Sequence, residues 1–212
     1  MPADTDILIA LASTVPVTEA EGPGRRFALW VQGCPLRCPG CCNPEYLRFD
    51  GGTPTPVTEL VDEILATPGI EGVTLLGGEP FSHAEGLAEL SHQVRLAGLS
   101  VMIFTGNTID EIRAGGHTDD RHRERLLREC DLLVDGPYLR ENHTTNMRWI
   151  GSTNQRVHFL TDRYAHLDDG RWERGGNTLE IRMIGGEITI NGFPHPDVPK
   201  LGKPRRQDSR ND

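Results

Sequence analysis

The sequence predicts one α/β domain built around a parallel β-sheet, with additional segments after it. Apolar runs of strand length alternate with amphipathic helical patterns between residues 26 and 134, and this alternation is typical of parallel strands joined by right-handed helical crossovers. Glycine-rich or polar segments follow four of the strands: the cysteine loop after residue 33, Gly77-Gly78, Thr105-Gly106 and Asp135-Gly136. Because the carboxyl ends of parallel strands meet at one edge of a sheet, we expect these four segments to converge on one site.

The first half of the chain contains two predicted strands and a helix. Ile7 to Val17 predicts the first strand, and Arg26 to Val31 predicts a second one that leads into the cysteine loop. Thr55 is expected to cap a helix in which Pro56 takes the first position, because apolar residues then recur at helical spacing as far as Leu65.

The next elements alternate regularly. Val73 to Leu76 predicts a buried strand that ends in Gly77-Gly78-Glu79-Pro80, and the pattern from Ala84 to Ala97 predicts an amphipathic helix. The remaining predictions are a strand over Leu99 to Phe104, a helix capped by Thr108 and reaching Arg113, a helix over Arg121 to Glu129, and a strand over Leu132 to Val134.

The C-terminal part has a different pattern. Apolar and polar residues alternate over Asn177 to Met183 and Glu187 to Asn191 on either side of Gly185-Gly186, which predicts a β-hairpin. The hairpin is expected either to cover an open sheet edge or to contact a partner. A basic stretch from Lys200 to Arg210 predicts a disordered tail. We therefore divide the chain into a main domain (1–163), a hairpin extension (164–199) and the tail (200–212).

Composition and charge exclude several classes of protein. A formal net charge of −9 argues against a nucleic-acid binder, because a phosphate backbone requires clustered Lys and Arg. The arginines between Arg121 and Arg128 alternate with glutamates and are interpreted as a solvated helix face. The apolar run from Ile7 to Ala12 is too short to cross a membrane. Five cysteines, four of them in one loop, make a poor disulfide framework, so we expect a cytoplasmic protein.

The cysteine loop is the strongest chemical signal in the sequence. Cys34, Cys38 and Cys41 are spaced C-x3-C-x2-C, which allows one loop to place three thiolates around a single inorganic centre. A cluster held by three thiolates keeps one iron open to another ligand, whereas a structural zinc site takes four protein ligands. The zinc alternative would need a fourth ligand, such as Cys42 or a histidine, and the spacing of the three cysteines does not exclude it.

Other motifs, in a fixed order, narrow the interpretation. The chain carries Glu21-Gly22-Pro23-Gly24, Gly33-Cys34, Cys38-Pro39-Gly40-Cys41, Gly77-Gly78-Glu79-Pro80, Asp135-Gly136 and the segment from Trp149 to Arg156. In this order they resemble the radical S-adenosylmethionine (radical SAM) superfamily and, within it, the activating proteins of anaerobic ribonucleoside-triphosphate reductases. The resemblance extends from Glu21 to Phe159.

The resemblance implies a fold, cofactors and partners. The fold would be a shortened, open (β/α) radical SAM partial barrel, to which this chain adds the C-terminal β-hairpin. The cofactors would be a 4Fe-4S cluster and S-adenosyl-L-methionine (SAM), from which such enzymes generate a 5′-deoxyadenosyl radical. The partners would be a glycyl radical enzyme similar to anaerobic ribonucleotide reductase, and a flavodoxin or ferredoxin as electron donor. The alternative is a free-standing radical SAM enzyme that modifies a small metabolite or a ribosomal peptide.

The resemblance also assigns site residues. Cys34, Cys38 and Cys41 would hold the cluster, with Gly40 and Cys42 as cofactor-side neighbours in the same loop. The segment that binds the methionine amino group of SAM would be Gly77, Gly78, Glu79 and Pro80. Thr105 is expected to line the adenosine and Asp135 to accept a ribose hydroxyl or position a substrate, although Thr and Asp also favour strand ends for turn chemistry alone. Cys130 is expected to be a core residue.

Overall fold

A seven-stranded sheet forms the centre of the molecule. The computed structural model describes residues 6–116, 120–170, 178–184 and 187–192. The strands lie in the order β3-β1-β2-β4-β5-β6-β7, and the four central strands β2, β4, β5 and β6 are parallel. Their bounds are β1 Leu8–Thr18, β2 Arg26–Val31, β3 Thr53–Pro56, β4 Gly72–Gly77, β5 Ser100–Phe104, β6 Leu132–Asp135 and β7 Arg156–Phe159. The predicted α/β fold with a large, mostly parallel sheet is therefore confirmed.

Antiparallel strands complete both edges of the sheet. β1 pairs with both β2 and β3, and β7 pairs with β6. β3 contains Pro54 and Pro56, which have no backbone N–H to donate, and such residues are tolerated in an edge strand. Thr55 lies in this strand and its hydroxyl donates to Thr53 O (3.0 Å), so the prediction that Thr55 caps the following helix is wrong.

Four α-helices connect the central strands and cover one face of the sheet. They are α1 Val57–Ala66, α2 Ala84–Leu96, α3 Ile109–Ala114 and α4 Asp120–Arg128. Phe27, Leu29 and Val31 of β2 point to this face, where α1 and α2 contribute apolar residues such as Leu60 and Leu87. α3 begins with a capping box between Thr108 and Glu111, as the sequence predicts.

The opposite face of the sheet is also covered, so the central strands are buried on both faces. Ala28 and Trp30 of β2 pack there with Tyr46, and Met102 and Leu132 pack with Trp149, Ile150 and Tyr164. Burial on both faces explains why β2 is buried at all six positions.

An arginine closes the end of the sheet that lies away from the cysteine loop. The guanidinium of Arg26 is fully buried and donates to Thr74 Oγ1 (2.6 Å), Ser100 Oγ (3.0 Å) and Tyr164 Oη (3.0 Å). Tyr164 in turn donates to Glu71 Oε1 (2.8 Å). Burial lowers the pKa of the Arg26 guanidinium, and the nearby Tyr164 and Glu71 oppose that shift. This network ties residues after β7 to the starts of three central strands.

A separate two-stranded sheet follows. β8 Leu179–Ile184 pairs antiparallel with β9 Glu187–Gly192. Asn191 Nδ2 donates to Thr18 Oγ1 (2.8 Å) and the N–H of Gly192 donates to Glu21 Oε1 (2.7 Å), so this sheet contacts the chain at the end of β1. The predicted turn at Gly185-Gly186 and the predicted tail (200–212) lie outside the described residues. Among the described residues, no helix has the length and hydropathy needed to cross a membrane.

Candidate cluster and SAM site

The cysteine loop begins where β2 ends and is closed by hydrogen bonds at its base. The N–H of Gly33 donates to Tyr46 O (2.8 Å) and the N–H of Cys34 donates to Leu47 O (3.1 Å). The side-chain amide of Gln32 donates to Arg48 O (2.7 Å), and the backbone carbonyl of Gln32 lies 2.7 Å from His83 Nε2. The protein's own hydrogen bonds therefore fix the base of the loop without help from a cofactor.

The three predicted ligands lie in this loop at different depths. Cys34 is buried, while Cys38 and Cys41 are half-buried. Burial raises the pKa of the Cys34 thiol, and the backbone N–H groups of Leu36 and Arg37 oppose that rise. The N–H of Asn43 donates to Cys41 Sγ (3.4 Å).

The donor set fits an iron-sulfur cluster. All three side chains are thiols in one loop, and N–H groups are directed at two of the sulfurs, which is how proteins stabilise thiolate ligands of such clusters. Within the described ranges, no three His, Cys, Asp or Glu side chains are already close enough to hold a metal ion.

The two remaining cysteines differ in environment. Cys42 is exposed, and a hydrogen bond between the Cys41 and Cys42 side chains is the main reason that the pKa of the Cys41 thiol is raised. Cys130 is buried and its sulfur contacts Leu132 O (3.1 Å), which places it in the core as expected. Burial is the main reason that the pKa of the Cys130 thiol is raised.

The Gly77-Gly78 segment packs directly on the backbone that leads to Cys34. The N–H of Gly78 donates to Val31 O (2.7 Å) and the N–H of Glu79 donates to Gly33 O (2.9 Å). A Cβ on Gly78 would lie 2.8 Å from the carbonyl carbon of Gly33 and 2.9 Å from its nitrogen, and Gly77 has a φ of +109°. Both glycines are thus required by a close backbone approach.

Glu79 links the ends of two neighbouring strands. Its carboxylate is buried and accepts from the N–H of Phe81 (2.9 Å), the hydroxyl of Thr105 (2.8 Å) and the N–H of Gly106 (3.0 Å). Burial raises the pKa of Glu79, and these hydrogen bonds oppose the rise. The predicted site residues Glu79 and Thr105 are therefore brought into contact, and buried Pro80 begins the short 3-10 turn that follows.

Asp135 is buried at the end of β6. Its Oδ2 accepts from the N–H of Ile109 (2.7 Å) at the start of α3, and His158 Nε2 lies 3.1 Å from the same oxygen without hydrogen-bond geometry. Its Oδ1 has no hydrogen-bond partner among the described residues. Asp135 Oδ2 thus holds the start of α3 in place, while Oδ1 accepts no hydrogen bond from the residues that the structure describes.

Gly40 lies against a loop that the sequence did not connect with it. At φ +82°, a Cβ on Gly40 would be 3.0 Å from Arg140 Nε and 3.3 Å from Tyr138 Cε1. The segment from Trp149 to Arg156, whose role could not be read from its composition, fixes that loop through three side chains. The hydroxyl of Ser152 accepts from the N–H of Leu139 (3.2 Å). Asn154 Nδ2 donates to Pro137 O (2.8 Å) and Gln155 Nε2 donates to Gly136 O (3.0 Å).

Arg123 lies near the candidate site and is buried. The prediction that it belongs to a solvated helix face is wrong, because only 5% of its surface is exposed. Its guanidinium lies 5.4 Å from the centre of the Phe81 ring and donates to Phe81 O (3.2 Å). Its Nε and Nη2 have no hydrogen-bond partner in the part of the chain that the structure describes, and its charge lowers the pKa of Glu79.

Comparison with known proteins identifies the family. Residues 20–158 match the family model described as a 4Fe-4S single cluster domain. The anaerobic ribonucleoside-triphosphate reductase-activating proteins of Salmonella typhi and Escherichia coli (strain K12) are both 30% identical to this chain, over 155 and 156 residues that cover 68% of it and 95% of each relative. The protein of that name from Enterobacteria phage T4 is 31% identical over 155 residues, covering 69% of this chain and 92% of the relative.

Solved structures also match this chain. One of them, QueE from Escherichia coli, aligns with a TM-score of 0.41 and 18% identity over 50% of this chain and 54% of that one. The family model and the sequence relatives confirm the predicted 4Fe-4S cluster and SAM as cofactors. The chain belongs to the family of anaerobic ribonucleoside-triphosphate reductase-activating proteins.

Proposed function

We propose that this protein is a glycyl radical enzyme activase that installs a radical on a glycine of an anaerobic ribonucleotide reductase. The observation that carries the proposal is the contact between two motifs. The three-cysteine loop after β2 and the Gly77-Gly78 segment are hydrogen-bonded to each other, in a chain that spans 92–95% of the length of the activating relatives named above.

In this reaction, the residues of the chain bind and orient the cluster and SAM. Cys34, Cys38 and Cys41 are the thiolates for the cluster, and the backbone carbonyls of Gly77 and Gly78 are the acceptors for the amino group of SAM. When bound, the reduced cluster and SAM would supply the radical chemistry, namely the electron for reductive cleavage of SAM and the means to remove a hydrogen atom from the glycine Cα. Glu79 fixes the SAM segment to the end of β5 through Thr105 and Gly106.

Thr105 and Asp135 are proposed as further contacts of the nucleoside. Thr105 gives its hydroxyl hydrogen to Glu79, and its oxygen accepts from the N–H (3.1 Å) and the side-chain amide (3.2 Å) of Asn107, so a bond from SAM to Thr105 would replace one of the Asn107 bonds. Asp135 offers Oδ1, the buried oxygen that has no described hydrogen-bond partner, as acceptor for a ribose hydroxyl. Gly40 and exposed Cys42 flank Cys41 in the chain and are proposed as cofactor-side neighbours of the cluster.

The remaining proposals concern architecture and partners. We propose that the sheet is a shortened, open (β/α) partial barrel and that the β8-β9 hairpin is an extension of it. Tyr164, bonded to Arg26 at the base of the sheet, favours a boundary a few residues after the predicted division at 163. Cys130 is the one cysteine of the sequence outside the cluster loop, and a single cysteine cannot hold a second cluster. We therefore propose that a separate protein in the cytoplasm, a flavodoxin or ferredoxin, donates the electron.

The test is radical transfer to the reductase of the same organism. Anaerobically reconstituted protein, SAM, reductant and the reductase should yield a carbon-centred doublet in electron paramagnetic resonance, located on the reductase. Deuterium placed on the target glycine Cα should appear in 5′-deoxyadenosine. Cleavage of SAM without any radical or deuterium transfer would overturn the proposal in favour of an enzyme that modifies a metabolite or a ribosomal peptide.

A further inference from the structure

A buried arginine lies behind the segment that is proposed to bind SAM. Arg123 belongs to α4, and its Nε and Nη2 atoms have no hydrogen-bond partner among the described residues. Burying a cation with unpaired N–H groups is costly, and apolar residues of similar size are often at least as stabilising in such a position. Stability alone therefore does not explain an arginine here, and the groups that it reaches indicate its role.

Arg123 acts on the site segment at two points. Its Nη1 donates to Phe81 O (3.2 Å), and its guanidinium lies 5.4 Å from the centre of the Phe81 ring. Its positive charge also acts on the buried carboxylate of Glu79, whose pKa it lowers against the effect of burial. Charges interact more strongly in such a buried environment than in water. One hydrogen bond and one charge from α4 therefore act on residues 79–81.

Glu79 connects this contact to the strand ends that form the site. Its carboxylate accepts from the hydroxyl of Thr105 (2.8 Å) and the N–H of Gly106 (3.0 Å), which follow β5. It also accepts from the N–H of Phe81 (2.9 Å), and the Glu79 N–H donates to Gly33 O (2.9 Å). An ionised carboxylate only accepts hydrogen bonds, whereas a protonated one must donate from one oxygen. A nearby positive charge therefore favours the form of Glu79 that makes these bonds.

We infer that Arg123 is a positioning residue for SAM binding. The inference rests on the proposed function, in which the Gly77-Gly78 segment binds the amino group of SAM. That segment directly precedes Glu79, so the position of its backbone carbonyls depends on the bonds of the Glu79 carboxylate to the end of β5. The charge of Arg123 strengthens those bonds, and its own bond to Phe81 O fixes the turn on the other side of Glu79.

Amide hydrogen exchange in the cluster-free protein tests the positioning directly. In Arg123→Met, the N–H groups of Phe81 and Gly106 should exchange about tenfold faster, because their bonds to Glu79 become weaker. Amides of β2, in the middle of the sheet, should keep their wild-type rates. The matched control is Arg128→Met on the same helix, since the Arg128 side chain is 66% exposed. Wild-type exchange at both N–H groups in Arg123→Met would overturn the inference.

The affinity for SAM gives the functional measurement. At equal iron and sulfide content, Arg123→Met should raise the SAM dissociation constant about tenfold, and Arg128→Met should leave it unchanged. Arg123→Lys keeps a cation that can donate to Phe81 O, so its SAM dissociation constant should stay within about twofold of wild type. The cleavage rate at saturating SAM should fall less than the affinity, because Arg123 acts on the binding segment. Wild-type affinity in Arg123→Met, or an equal loss in Arg123→Lys, would overturn the inference.

A double-mutant cycle separates action through Glu79 from general damage. Glu79→Gln should itself weaken SAM binding, and adding Arg123→Met should then cost little more, because the charge on which Arg123 acts is gone. Independent, additive losses would overturn the inference while leaving the proposed function intact. Where Arg123→Met does not fold, Arg123→Gln gives the same comparison with a polar side chain in this position. Failure of the unmodified protein to bind or cleave SAM would overturn the proposed function and the inference with it.

Discussion

The Gly78→Ala substitution should displace the protein backbone at the site as well as weaken SAM binding. The added Cβ would lie 2.8 Å from the carbonyl carbon of Gly33, with the Gly33 oxygen closer still. Carbon atoms in ordinary contact are about 3.5 to 4.0 Å apart, so one of the two segments must move by about 1 Å. Neither side can yield by turning a side chain, because both contacting groups are backbone.

The expected magnitude follows from that displacement. Overpacking of this kind costs about 1 to 3 kcal/mol of stability, and a shift of about 1 Å in a positioned group can lower a rate by about 10²-fold. The shift also strains the bond from the Glu79 N–H to Gly33 O (2.9 Å), directly before Cys34. We therefore expect weaker SAM binding, slower SAM cleavage and a reduced yield of cluster on reconstitution.

The measurements are cluster absorbance, SAM affinity by equilibrium titration, and 5′-deoxyadenosine formation, all under anaerobic conditions. Gly151→Ala is the control, because a Cβ there would make an ordinary 3.5 Å contact with the Tyr138 ring. Wild-type SAM affinity and cleavage rate in Gly78→Ala would refute the conclusion that the Gly77-Gly78 segment lies at the site.

Three further predictions concern other residues of the site. Replacing Cys34, Cys38 or Cys41 by Ala should abolish cluster absorbance after reconstitution, while Cys42→Ala and Cys130→Ala should keep it; loss of the cluster in Cys42→Ala would show that the ligands are wrongly assigned. The pKa of Glu79 is raised above its ordinary value of 4.5, so the unfolding free energy of the cluster-free protein should fall as pH rises from about 4.5 through the raised pKa. The Glu79→Gln variant should lack this pH dependence. Identical pH profiles of urea denaturation for the two proteins would contradict the prediction. Arg123→Met should raise the pKa of Glu79 further, which steepens that pH dependence, and an unchanged profile would show that the two charges are not coupled.

The central strands and the site segments were predictable because each depends on local sequence. Strands buried on both faces require nearly continuous apolar residues, as in Arg26–Val31, and the turns after them require glycine or small polar residues. The helix start at Thr108 was also predictable, since its capping box is formed within four residues. The cysteine spacing indicated the chemistry independently of the fold.

The edge strands and the supporting contacts of the site depend on tertiary partners and were missed. β3 is a Thr-Pro-Thr-Pro segment whose pairing with β1 has no local signal other than the tolerance of edge strands for proline. The burial of Arg123 follows from the position of Phe81, which is distant in sequence. The contact between Gly40 and Tyr138 likewise joins segments that only the folded chain brings together.

The bonds that close the base of the cysteine loop affect how iron is acquired. Gly33 to Tyr46 and Cys34 to Leu47 form a closed ring of backbone that already contains all three ligands. Closing a flexible loop of this length costs about 2 kcal/mol of chain entropy, and here the surrounding fold meets that cost before metal arrives. Small zinc domains, in contrast, gain their fold from the metal. We therefore expect the sheet to stay folded when the cluster is lost, so that the empty protein can be reconstituted with iron and sulfide.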